Sequence, residues 1–220
     1  MMRLVANLAL VVSMTACASP PHYSAETFSA RVIDQTTKMP IVGVSVVAQW
    51  EVRGGIHPGT VDLLHVEEAV TDADGRFRIA GWGPVLAPPE GYLDTQDPRL
   101  ILFKSGYQVK SVSNRGWFAP GERQHLTVRN SIWNGRTVQL IPHHRRDALP
   151  PGFAAVTYMY GWYHRPDKCW WKSAPKFVAA VDREIKQLGG PGQSYTIARL
   201  LTQQACAPFD DFLRKIGEGK

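Results

Sequence analysis

Three groups of residues in this 220-residue chain have types and spacings that could do chemistry: the cysteines Cys17, Cys169 and Cys206, the histidine-rich spots His65-Val66-Glu67-Glu68 and His143-His144, and an aromatic run. A His-x-x-Glu pair can supply two zinc ligands, since imidazole nitrogen and carboxylate oxygen both bind that ion. No motif places a second histidine beside His65 and Glu68, these residues fall in an expected loop, and the adjacent His143-His144 are expected to point apart at a strand end. No metal and no cofactor is therefore expected. Asp72-Ala73-Asp74-Gly75 begins like a calcium loop, but such a loop needs a glutamate at its twelfth position, where Gly83 stands, after Trp82. It reads instead as a turn, with aspartates bonding backbone amides and Gly75 free to take positive φ. A nucleophile elbow and a glycine-rich phosphate loop are both missing, so the chain is expected not to be an enzyme.

The aromatic run, Thr157 to Trp171, contains Tyr158, Tyr160, Trp162, Tyr163, Trp170 and Trp171. Exposed aromatics stack on sugar rings and are favoured at protein interfaces, which makes Tyr158, Tyr160, Trp162, Trp170 and Trp171 candidate ligand-binding residues. The competing reading is that alternating Tyr158, Tyr160 and Trp162 form one packed face of a strand.

The elements that position these residues begin with an export signal. Met1-Met2-Arg3 is a short positive start, and Leu4 to Met14 is an uncharged apolar stretch of 11 residues. A spanning helix needs roughly 20, so residues 1–16 read as a signal peptide. Met14-Thr15-Ala16-Cys17 resembles the lipobox of bacterial lipoproteins, which implies cleavage before Cys17, acylation of that cysteine and a stable tether to a lipid bilayer. Ala18, where an aspartate would retain such a protein at the inner membrane, implies an outer-membrane address on the periplasmic or surface side. With Cys17 lipidated, Cys169 and Cys206 remain as an even pair in an oxidising compartment. A bridge between them would close a loop of about 38 residues, worth roughly 4 kcal/mol in the chain-entropy picture; two unrelated thiols are the alternative. Residues 17–26, with two prolines, read as an unstructured spacer.

From Thr27 the pattern becomes β. Phe28, Ala30 and Val32 alternate with polar residues, as do Val42, Val44 and Val46 towards Trp50, with turn chemistry between Asp34 and Pro40. Asp72–Gly75 turns the chain into Phe77 and Ile79; Leu100–Phe103 is a short apolar run; Thr137–Ile141 closes at Pro142. Long insertions lie at Glu51–Val70, Trp82–Asp97 and Ser111–Asn130. The stretches ARVIDQTTKMPIVGVSVVA (Ala30–Ala48), TDADGRFRI (Thr71–Ile79), FKSGYQ (Phe103–Gln108) and TVQLIP resemble carboxypeptidase regulatory-like domains, with Ala30 and Lys38 where that family has glycine. The resemblance covers residues 27–143 and implies a mainly β, transthyretin-like antiparallel sandwich with long loop insertions. It implies nothing about activity: the zinc-bearing catalytic domain of the metallocarboxypeptidases is absent, as is the Tyr-Arg-Gly-Ser motif of hydroxyisourate hydrolases.

Beyond residue 143, over 144–220, helical spacing takes over. Val178, Val181, Ile185 and Leu188 recur on one helix face, with Ser173 as expected N-cap, Pro175 in the first turn and Gly189-Gly190 as stop. Tyr195–Gln204 and Phe209–Ile216 read as further short helices, giving a small C-terminal α-helical segment. The formal net charge is +6, and removal of residues 1–16 takes away only Arg3. Charge this modest and scattered does not point to nucleic acid. The expectation is a non-catalytic, lipid-anchored envelope protein serving as a structural or protein-interaction module, with cell-wall glycan binding through the aromatics as the alternative.

Overall fold

A strand forms where one face of an alternating segment can be buried, and the first strands follow this rule. The computed structural model describes residues 22–54, 59–89, 91–93, 96–114, 127–144, 150–153, 155–156, 168–188, 211–212 and 214–215. Strands β1 (His22–Ala25) and β2 (Phe28–Asp34) turn Tyr23, Ala25, Phe28, Ala30 and Val32 into the core. The expected spacer over 17–26 is thus corrected at its end, where His22–Ala25 is a strand of the sandwich. After them come β3 (Ser45–Gly54), β4 (Gly59–Val70), β5 (Arg76–Ile79), β6 (Trp82–Leu86) and β7 (Tyr92–Leu93). The rest are β8 (Arg99–Phe103), β9 (Lys110–Val112), β10 (Val128–Arg129), β11 (Thr137–Leu140), a 3-10 turn (Trp170–Ser173) and helix α1 (Pro175–Gln187). The chain is a mainly β sandwich with a C-terminal helix.

One layer is a long ladder in two parts, ordered β10-β1-β6 and β11-β2-β5. Phe28 faces Ile79 in one part and Ala25 faces Trp82 in the other, so the antiparallel register carries straight across the break. Gly81 sits at that break: a Cβ there would lie 2.7 Å from the Ala25 carbonyl oxygen and 2.9 Å from the Thr27 nitrogen. The outer strands β10 and β11 run parallel to β1 and β2. The other layer is β4-β3-β8-β9, with β7 on the end of β3. Its strands β3 and β4 take up the segment 51–70 expected as a loop, because Glu51–Gly54 and Gly59–Val70 pair along their length as a hairpin.

Between the layers lie Phe28, Val32, Phe77, Ile79, Val138 and Leu140 from one side and Val46, Ala48, Trp50, Leu100 and Leu102 from the other. The opposite face of the larger sheet is also covered. Val47, Ile101 and Phe103 pack there against Phe177, Val178, Val181 and Ile185 of α1. This is why Leu100–Phe103 reads as an unbroken apolar run: β8 is buried on both faces. The helix from beyond residue 143 therefore shares a core with the sandwich.

The helix does not begin as its sequence suggests. Ala174, not Ser173, is the N-cap, and no side chain of its own bonds the first turn. Glu68 of β4 does so instead, its two carboxylate oxygens each 3.0 Å from the amides of Lys176 and Phe177. Orphan amides at a helix start favour an anion there, so this contact both caps α1 and fixes it to the sheet. Burial raises the Glu68 pKa against the pull of those amides. Of the two further helices expected, Tyr195–Gln204 lies outside the described residues; Asp211–Phe212 and Arg214–Lys215, within the second, are helical.

Candidate functional site

The ladder gives the molecule two ends. His22 opens β1 at one, and Asp34 closes β2 at the other. Asp34 holds the turn that follows, accepting from the amides of Thr36 at 2.7 Å and Thr37 at 2.8 Å, and from the Tyr107 hydroxyl at 3.0 Å. The Thr37 amide, with the Tyr107 hydroxyl, keeps the Asp34 carboxyl below its ordinary pKa against the opposing effect of burial. Burial first, and then Asp34 itself, raise Tyr107. Lys38 in this turn has φ +61°, a left-handed conformation that costs a residue with a Cβ about 1 kcal/mol or more.

Beside this end, a cleft of about 690 Å³ opens between the turn after β8, the segment after β11 and the last turn of α1. Ser105, Gly106, His143, His144, Glu184 and Gln187 line it. A smaller adjoining hollow adds Lys104 and Arg183 and shares Ser105, Glu184 and Gln187. Nε2 of His143 and Oε2 of Glu184 are buried and have no hydrogen-bond partner among the described residues. A buried polar atom left without a partner costs free energy, so these two are groups that an incoming polar ligand would satisfy. Both His143 and His144 line this cleft.

A zinc role for His65 and Glu68 fails on geometry as well. They lie in β4, not a loop, three residues apart in a regular stretch of ladder, and so point to opposite faces. Glu68 caps α1, whereas His65 stacks on Trp82 at 4.9 Å between ring centroids and bonds Glu67 at 2.9 Å through Nε2. No group of three His, Cys, Asp or Glu side chains among the described residues could hold a metal. The Thr71–Gly75 turn is built as its sequence suggests: Asp72 Oδ1 accepts from the amides of Asp74 and Arg76 at 2.9 and 2.8 Å. Gly75 has φ +70° and approaches the Val32 carbonyl so closely that a Cβ would lie 2.4 Å from it.

Glu51 is a buried acid outside these sites. It accepts from Gln49 Nε2 at 2.8 Å and Thr60 Oγ1 at 3.0 Å and pairs with Arg99 Nε at 2.7 Å. A carboxylate held on these groups ties β3, β4 and β8 together.

Cys17, Cys206, Tyr158, Tyr160 and Trp162 lie outside the described residues, and nothing is described of the Trp171 side chain. Cys169 is disulfide-bonded. Trp170 packs against the helix-side core, with Lys168 Nζ 5.5 Å from its ring centre. Among the described residues no helix is long and apolar enough to cross a membrane.

No family model matches the chain, and no curated protein matches it. Solved structures similar to it include 3-chlorocatechol 1,2-dioxygenase from Rhodococcus opacus, at 15% identity and a TM-score of 0.34, covering 56% of this chain and 62% of that one. Chlorocatechol 1,2-dioxygenase from Pseudomonas putida is 14% identical with a TM-score of 0.32, covering 61% and 65%. The dioxygenase domain of a dioxygenase–carbohydrate-binding fusion from Streptomyces sp. SirexAA-E is 19% identical with a TM-score of 0.29, covering 61% and 86%. The chain thus spans less than two thirds of the first two. The expectation that the chain is not an enzyme is corrected to no statement about activity: these similar structures are named as dioxygenases, and a missing motif does not exclude chemistry built from scattered residues. Likeness at this level carries no reaction over to this chain.

Proposed function

We propose that the chain is a lipid-anchored envelope protein that engages a partner protein through the end of the sandwich farthest from its tether. The observation that carries this reading is the cleft between α1 and the Gly106 turn, with buried His143 Nε2 and Glu184 Oε2 beside it, neither partnered among the described residues. Met39 and Val42, 63% and 57% exposed, add apolar surface to the same end. A mixed rim of this kind suits a partner's polar side chain seated among apolar contacts. The lipobox resemblance supplies the anchor, and a Cys169–Cys206 bridge would staple the helical region. Lys38 in the left-handed conformation, at a position of usual glycine, supports the resemblance to carboxypeptidase regulatory-like domains. For glycan binding, the one aromatic ring of the candidate set that is described, Trp170, is engaged in core packing.

The test is purification of the lipidated protein in mild detergent, with and without Ser105→Arg and Gln187→Arg, which fill the cleft. An envelope protein should accompany the unsubstituted chain at a fixed ratio and be lost from the filled one. Identical recovery from both would overturn the reading of the cleft. Mass spectrometry showing an unmodified Cys17 would overturn the anchor.

A further inference from the structure

The opposite end has its own unassigned surface. β6 is an edge strand, beyond β1 in its sheet, and it is exposed from Gly83 to Leu86. Leu86 is 52% exposed and Val85 38%, and Val128, on the other flank of β1, is 47% exposed. Trp82 to Pro89 (WGPVLAPP) is eight residues without a charge. An exposed apolar edge normally invites another strand, but Pro84 has no amide to donate and blunts such pairing. What suits this edge is an apolar partner that needs no hydrogen-bond register.

Chain length says which one. His22 faces Leu86 across the ladder, and Cys17 lies five residues before His22. Five extended residues reach at most about 18 Å, so acyl chains on Cys17 hold this edge close to the bilayer. We infer that the Trp82–Pro89 edge, with Val128 beside it, rests in the bilayer interface, and that this contact turns the cleft away from the membrane. The inference rests on the lipid anchor proposed above. From His22 to Asp34 the ladder runs about 40 Å at the usual rise per residue, which carries the cleft well clear of the lipid headgroups.

The experiment places a nitroxide label on Leu86→Cys or Met39→Cys in the full lipidated protein. The host is vesicles of phosphatidylethanolamine and phosphatidylglycerol, and accessibility is read to dissolved oxygen and to a water-soluble nickel chelate. Leu86 should favour oxygen and Met39 nickel. Labelled at Val128→Cys, the added pair Val85→Asp and Leu86→Asp should cut the oxygen preference about tenfold, the scale set by burying one apolar side chain. If the protein floats with the vesicles but Leu86 is as open to nickel as Met39, or closed to both probes, the inference is overturned and the anchor stands. If the protein does not float with the vesicles, the anchor fails and the inference with it.

Discussion

The two faces of the larger sheet are held by different physics. Its inner face meets the opposing ladder mainly through apolar side chains, from Val46 and Trp50 across to Phe28 and Ile79. Its outer face combines an apolar patch under α1 with two carboxylates, the half-buried Glu68 at the helix start and the buried Glu51 among its donors. The inner face is secured by area, which is non-directional and cooperative across both layers. The outer face depends on a few directed contacts, so one change there can release one element.

Substitutions on the inner face should have the largest effect. Trp50→Ala, removing a fully buried ring from that face, should cost about 3–5 kcal/mol and lower the single thermal transition of the whole domain. Phe177→Ala, of similar chemistry on the outer face, should instead remove hydrogen-exchange protection from α1 while β2 and β5 keep theirs. Equal loss in β2 would show that the two faces unfold as one unit.

Glu68→Ala should destabilise by about 1–3 kcal/mol, since two helix amides lose their acceptor; calorimetry measures it, and Glu68→Gln should cost less. The pH dependence sharpens this. Burial raises the Glu68 pKa above its ordinary 4.5, so its favourable contribution is full below that value and lost as pH rises through the folded one. Glu68→Gln should remove that loss. Asp34, lowered from 3.8, has the opposite sign: its contribution is present above that value and is lost as pH falls through the folded one. The smallest effect should come from Lys38→Gly, which relieves the φ of +61° and should stabilise by about 0.5–1 kcal/mol after the added freedom of the unfolded chain. A loss of stability would show that the lysine side chain holds the turn.

The inner face was legible because alternation is a local property: Phe28, Ala30 and Val32 mark one side of a strand wherever it packs. The Asp72–Gly75 turn was legible for the same reason, its hydrogen bonds closing within five residues. The α1 face was readable from Val178, Val181 and Ile185, but its cap was not, because Glu68 is more than a hundred residues away. The segment 51–70 was misread as a loop because β3 and β4 are covered on both faces in places and carry buried charges, which hides the alternation.

The sequence by itself determined the mainly β class, the strands with clear alternation or an unbroken apolar run, the helix and the residues that suggest a lipid anchor, since each is written in neighbouring side chains. Only the tertiary structure decided that Glu68 caps α1, that His65 and Glu68 face apart, and that Gly106, His143 and Glu184 meet around one cleft. Those depend on register and layer packing, which bring together residues whose spacing along the chain carries no period.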